Sequence, residues 1–149
     1  MNQQSFPTTG YLAWQFSQAM GARLEKELRT LDLTLAQHNV LRSALLDPGV
    51  SSAEAARRAG ITAQSMGAAV NALVDRGLME RRPHPTNRRV LCLHITADGR
   101  RLAERSTAVV GHVNDDALAV LSPTERATAH ALLHRLVEHL NPGALPPSA

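Results

Sequence analysis

Apolar residues recur along this chain in long helical stripes at both ends and in shorter patterns between. Leu12, Phe16, Met20, Leu24, Leu28 and Leu31 follow one another at steps of three and four. That spacing places them on one face and predicts a helix over 11–31. Thr34-Leu35-Ala36-Gln37 has capping-box spacing and opens a second helix, through about Leu46, which Asp47-Pro48-Gly49 ends. Toward the other end, Leu102, Val109, Val113, Ala117 and Leu121 mark one face of a helix from Ala97 to about Leu121, with Thr96 as its cap. Ser122-Pro123-Thr124-Glu125 combines an N-cap, a proline at the first helical position and the box glutamate. It starts a last helix to about His139, with Leu132, Leu133, Leu136, Val137 and Leu140 apolar, before Pro142-Gly143 stops it.

The middle of the chain has finer grain. Ser51 and Glu54 have capping-box spacing, Ala53 to Ala59 favours helix, and Gly60 suits a left-handed stop. Thr62 caps a second short helix that ends at Gly77. Met66, Val70 and Leu73 form its buried stripe, with Gln64, Ala68, Asn71 and Asp75 on the opposite face. Two short helices joined by a tight glycine turn make a helix-turn-helix, whose second helix enters the major groove N-terminus first. Leu78 to Arg82 and Val90 to Ile95 then read as two strands of a hairpin, with Pro83 and Pro85 expected to bar regular pairing at the tip. Arg81, Arg82, Arg88 and Arg89 flank that tip, with no carboxylate among them. The fold class is mainly α with a small β-hairpin wing: a winged helix-turn-helix head plus a long-helix dimerisation region.

Charge sharpens the picture. The net charge of the chain is only +3, but residues 51–101 hold nine arginines against four acids, a net of +5. The remainder holds seven basic and nine acidic residues, a net of −2. A basic middle between acidic flanks is the footprint of a nucleic-acid reader, against the bland alternative of solvated surface. Aromatic residues make up only 3%, so the core is aliphatic. No apolar run approaches a membrane span, and MNQQSFPTTG lacks the layout of a signal peptide. Cys92 is the only cysteine, which excludes an internal disulfide and fits a reducing cytoplasm.

Three stretches carry a family resemblance: Leu33-Thr34-Leu35-Ala36-Gln37, Gly77-Leu78-Met79-Glu80-Arg81-Arg82, and Asn87-Arg88-Arg89 followed by Ile95-Thr96-Ala97-Asp98-Gly99. In their order and spacing the chain resembles the MarR (multiple antibiotic resistance regulator) family over roughly residues 10 to 140. The family's wing signature is Asp-x-Arg, five residues, then Leu-Thr and a following Gly. Here Asn87 replaces the Asp and Ile95 the Leu, so the wing arginine has an amide beside it where the family has a charge. The resemblance implies a homodimer with intertwined terminal helices and a small ligand that releases DNA. It also implies an effector pocket near Tyr11, Trp14, His38 and Arg42, although each of these has a structural alternative in the core, interface or surface.

The candidate DNA contacts follow from side-chain chemistry. The N–H groups opening the second head helix, at Thr62 to Ser65, favour a phosphate. Gln64 can pair bidentately with an adenine edge. Ser65 suits a base or a phosphate, Gly67 and Ala68 permit close approach, and Asn71 is long enough to touch a base or the backbone. Arg57 and Arg58 divide between phosphate contact and plain surface. Arg88 and Arg89 would track the backbone, with Arg89 placed for a narrow minor groove and Asn87 beside it to orient the guanidinium. The recognition face carries no arginine, so guanine readout should be weak.

The chain therefore reads as one unit over 1–149. Residues 10–32 and 97–141 form the dimerisation region, 33–96 the DNA-binding region and 142–149 a tail. Its expected function is a cytoplasmic, dimeric, DNA-binding transcriptional repressor on a pseudo-palindromic operator. Expected partners are double-stranded DNA, a second copy and a small phenolic or anionic effector, with no membrane, cofactor or metal. A metal- or redox-responsive regulator of the same fold remains open, on His130 and His134 at i, i+4 and on Cys92, which strand alternation leaves partly exposed. A winged-helix module for protein contacts is the other alternative. No G-x-S-x-G, P-loop, H-E-x-x-H or paired-carboxylate pattern points to an enzyme.

Overall fold

The computed structural model of the chain describes residues 7–145. The elements run α1 (Thr9–Leu28), α2 (Leu35–Leu46), α3 (Ser52–Ala59), α4 (Ala63–Asp75), β1 (Met79–Pro83), β2 (Leu91–Ile95), α5 (Ala97–Ala117) and α6 (Pro123–Leu140). Short 3-10 turns follow α1 (Arg29–Leu31) and α6 (Pro142–Ala144). The tail expected over 142–149 lies partly outside the described residues.

The helix starts are chemical. Thr34–Gln37 and Ser122–Glu125 form full capping boxes, each side chain accepting the other residue's backbone N–H. The Ser122 N–H and hydroxyl hold the Glu125 carboxylate below its usual range. At α3 only half a box forms. Ser51 Oγ accepts the Glu54 N–H, but the Glu54 carboxylate turns to Arg57 and Arg58 instead. Those two guanidiniums, Arg57 foremost, pull its pKa down. The stops of α3 and α4 are Schellman motifs on left-handed glycines. Gly60 has φ 65° with the Ile61 N–H on Ala56 O; Gly77 has φ 69° with the Leu78 N–H on Leu73 O. The first helix ends earlier than its apolar stripe implied, because the chain tightens at Arg29–Leu31 and Asp32 turns left-handed at φ 52°. Likewise α5 stops at Ala117 rather than Leu121, where a turn at Leu118 reverses the chain into the Ser122 cap.

One antiparallel pair makes the wing, with Met79 opposite Ile95 and Pro83 opposite Leu91. Pro83 was expected outside the ladder, yet it is the last residue of β1. The His84 N–H donates to Val90 O, so Pro83 falls at the neighbouring, non-hydrogen-bonded position, where no N–H is needed. A second correction concerns Cys92, which is only 5% exposed. Segment Gly49–Ser51 lies along the other edge of β2. The Leu93 N–H donates to Val50 O, the Gly49 N–H donates to Leu93 O, and Ser51 bridges Cys92. This covered edge buries Cys92 and Leu93 together and breaks the simple alternation.

The core lies in the head. Apart from Leu28 and Ala103, every residue of the buried apolar cluster lies between Leu33 and Leu93, with Val40, Leu41, Met66, Val70 and Leu73 at its centre. The long helix α5 reaches α1 and α2 through a seam of small residues, Gly99, Ala103 and Ser106, followed by Val113. At Gly99 a Cβ would lie 1.9 Å from the Leu78 carbonyl oxygen, so only glycine lets α5 start this close to the wing. By contrast α6 has no buried residue, and Leu132, Leu133, Leu136 and Leu140 are exposed.

Candidate nucleic-acid interface

Helix α4 is amphipathic in the expected sense. Met66, Val70 and Leu73 are buried, while Thr62, Gln64, Ser65, Ala68 and Asn71 are exposed and Gly67 is partly so. Thr62 Oγ1 accepts the Ser65 N–H at 3.1 Å and donates to Ser65 Oγ at 3.0 Å. The hydroxyl pair thus opens the helix and leaves Gln64 projecting. The described geometry brings these residues onto one accessible face.

The wing is fixed by local chemistry. Asn87 Oδ1 accepts the Arg89 backbone N–H at 3.2 Å, and the Val90 N–H donates to Asn87 O at 2.9 Å. Asn87 was expected to steer the Arg89 guanidinium; its recorded bond sets the turn that carries that side chain. His84 Nδ1 accepts the Thr86 N–H at 3.3 Å, stiffening the other limb. Arg88 and Arg89 are both exposed and have no ion pair among the described residues.

The arginines of α3 are placed differently. Arg58 is 20% exposed and lies between Asp47 at 2.9 Å and Glu54 at 2.8 Å, bracing the α2–α3 corner. Arg57 pairs with Glu54, and its aliphatic stem lies near Gly143 behind α6. Both are thus engaged with the protein's own carboxylates.

The four effector-pocket candidates are not brought together within one chain. Tyr11 and Trp14 stack loosely, with ring centroids 6.0 Å apart, on the exposed first half of α1. Glu25, fourteen residues along α1 and roughly 20 Å away at 1.5 Å per residue, is what meets α2, accepting the Leu35 N–H. His38 is 3% exposed, with Nδ1 2.9 Å from Ser106 Oγ. The Ser106 hydroxyl donates to Ala103 O at 3.0 Å, so the ring donates through Nδ1–H. Burial first, and then the Arg42 charge, push the His38 pKa down to about 4, so the ring is neutral near pH 7. Arg42, one turn on, lines a different hollow of about 660 Å³ with Asn39, Ser43, Leu46, Arg58 and Ala144. A further hollow of about 450 Å³ lies between α1 and α5, rimmed by Arg23, Glu27, His112 and Asp116. Among the described residues no three His, Cys, Asp or Glu groups are placed to hold a metal, and the His130 and His134 rings are 6.4 Å apart.

The sequence reading missed two features of this surface: the Gly49–Ser51 edge, and a contact in which Arg81 of β1 donates to Asn71 of α4. Strand register carried the signal for the second, since Arg81 opposite Leu93 shares the face of buried Met79.

Comparison with known proteins gives one consistent family. Residues 31–90 match the model of the MarR family. The chain is 34% identical over 127 residues to the HTH-type transcriptional repressor Rv2887 of Mycobacterium tuberculosis, covering 85% of this chain and 91% of that protein. The structure of that MarR family protein with salicylic acid superimposes with a TM-score of 0.76 at 32% identity, covering 89% of this chain and 98% of that one. Its complex with DNA gives 0.74 at 34% identity, covering 86% and 96%. Wild-type apo MarR from E. coli gives 0.79 at 25% identity, covering 89% and 99%.

Proposed function

This chain belongs to the MarR family, and from that premise we propose that it is a homodimeric transcriptional repressor, released from a pseudo-palindromic operator by a small phenolic or anionic ligand. The observation that carries the reading is the pairing of an accessible α4 face with an arginine-bearing wing tip, residues 81–90, that contains no carboxylate. Gln64, Ser65 and Asn71 with the small Gly67 and Ala68 form the major-groove face, Thr62 opens it toward a phosphate, and Arg88 and Arg89 on the Asn87 turn form the wing contact. The ion pair of Arg57 with Glu54 leaves it a minor role.

Residues 33–96 act as the DNA-binding region and residues 10–32 with 97–141 as the dimerisation region. The exposed Leu12, Trp14 and Phe16 on α1 and the leucines of α6 supply an apolar surface for a second copy. A two-fold dimer sets its recognition helices about one duplex turn, roughly 34 Å, apart. Rv2887 has been solved both with DNA and with salicylic acid, which supports a ligand-responsive reader. Tyr11 and Trp14 would join His38 and Arg42 around an effector only if they came from the partner copy. In this role the protein is a regulator rather than an enzyme and works in the cytoplasm. Among the described residues no helix is long and apolar enough to cross a membrane.

Fluorescence anisotropy on a labelled inverted-repeat duplex tests the proposal, with salicylate as the first probe. Binding that excess salicylate reverses is the expected result. A ligand-free protein that binds no duplex at low salt would contradict it.

A further inference from the structure

We infer that Arg81, braced by Asn71, is the cation that anchors the recognition helix to a DNA phosphate, and that Asn71 is a positioning residue rather than a base reader. The inference rests on the DNA-binding reading above and reassigns one of its contacts. It starts from an asymmetry among the arginines around the head. Arg57 and Arg58 pair with Glu54, Arg58 also with Asp47, Arg82 with Glu80, and Arg101 with Asp98. Each of those guanidiniums has its charge offset by a carboxylate. Arg81 is oriented instead by a neutral amide, its Nη2 donating to Asn71 Oδ1. An amide fixes the direction of the fork without cancelling its charge, so the remaining donors stay available to an anion.

The backbone explains how a wing residue reaches the recognition helix. Arg81 is opposite Leu93 in the ladder and two residues from Met79, both buried, so its Cβ lies on the sheet face turned toward the head. From there its side chain runs out to an exposed end beside Asn71. Asn71 continues the outward stripe of Gln64 and Ala68 at helical spacing. The Arg81 guanidinium thereby supplies the cation that the recognition face itself lacks. Its level on the helix identifies the target. Asn71 lies eight residues, about 12 Å, beyond Ala63 at the helix start. A helix entering N-terminus first carries that level at the rim of the groove, where phosphates run rather than base edges. Phosphate contacts fix register without reading sequence, so Arg81 would lock the angle between wing and helix on the duplex.

Binding to operator and to scrambled duplexes across a salt series tests this with Arg81→Ala, Arg81→Lys, Asn71→Ala and the Arg81→Ala/Asn71→Ala double variant. A thermal melt of each checks the fold. Loss of one phosphate contact from each protomer of the bound dimer should lower the slope of log K against log salt by about 1.8 in Arg81→Ala and weaken all duplexes alike. Asn71→Ala should keep the slope, weaken binding less, and add nothing in the Arg81→Ala background. Arg81→Lys should behave as Asn71→Ala does, holding the charge but losing the oriented fork. A parent-like slope in Arg81→Ala would overturn the inference. So would an Asn71→Ala change of base preference that persists in the double variant. Absence of any DNA binding by the parent protein would instead sink the DNA-binding reading on which it rests.

Discussion

The head and the terminal helices use the same apolar residues to opposite ends. In the head, Met66, Val70 and Leu73 of α4 are closed over by α2, α3 and β1, and the buried cluster is complete within one chain. On the terminal helices the stripes are just as regular, yet Trp14 is 55% and Leu136 50% exposed. Periodicity thus says which face of a helix is apolar, but not which molecule covers it. On the dimer proposed above, a head that is finished alone can be carried as a rigid reader, and the open terminal stripes would make its placement on DNA depend on a second copy. In that proposal the head sets what is read and the terminal helices set how far apart two readings fall.

Leu132→Arg/Leu136→Arg should have the largest effect. Two charges in the proposed interface should abolish the dimer and, with it, tight operator binding. Sedimentation should show a monomer whose helical circular dichroism is retained; an unchanged dimer would place the interface elsewhere. Next comes Leu73→Ala, which deletes a fully buried side chain of the head. It should cost about 2–5 kcal/mol in urea unfolding and leave the dimer intact wherever the protein is folded. A cost near zero would mean the head is not packed as described.

A third test concerns the α2–α5 contact that joins the two regions. Folding depresses the His38 pKa from 6.5 to about 4. The unfolded chain therefore takes up this proton first as pH falls. The stability from keeping His38 neutral is complete above about pH 6.5 and is lost between there and about pH 4, roughly 3 kcal/mol at the acid end. His38→Gln should flatten that limb of a stability-versus-pH curve; an unchanged curve would remove His38 as its cause. Smaller and more local is Gln64→Ala, which should relax preference at one base pair per half-site by about 1–3 kcal/mol. Uniform weakening across all sequences would assign Gln64 to a phosphate.

Legibility followed the kind of signal each residue carries. The helix starts at Thr34, Ser51, Thr62, Thr96 and Ser122 were readable because capping is a local hydrogen bond between near neighbours. The α4 faces were readable because a single helix decides them. Burial of Cys92 was not, since it depends on Gly49–Ser51 arriving from forty residues earlier. Ser106 and Ala103 escaped notice because small residues mark a close helix contact without raising the apolar pattern. The Tyr11–Trp14–His38–Arg42 grouping came from resemblance alone, and the geometry of one chain separates its members. Within the site, the Thr62–Asn71 face was legible and the Arg81 bridge was not, because that bridge depends on how the hairpin leans against α4.

The most direct test of the whole account is selection of bound sequences from a random duplex pool at two salt concentrations. A complete head carried twice on a two-fold dimer predicts an inverted repeat, with half-site centres one helical turn apart and A·T-rich flanks under the wings, recovered at both salts. Recovery of no motif, with binding that vanishes at the higher salt, would reduce the wing and helix to a non-specific basic surface and contradict the account.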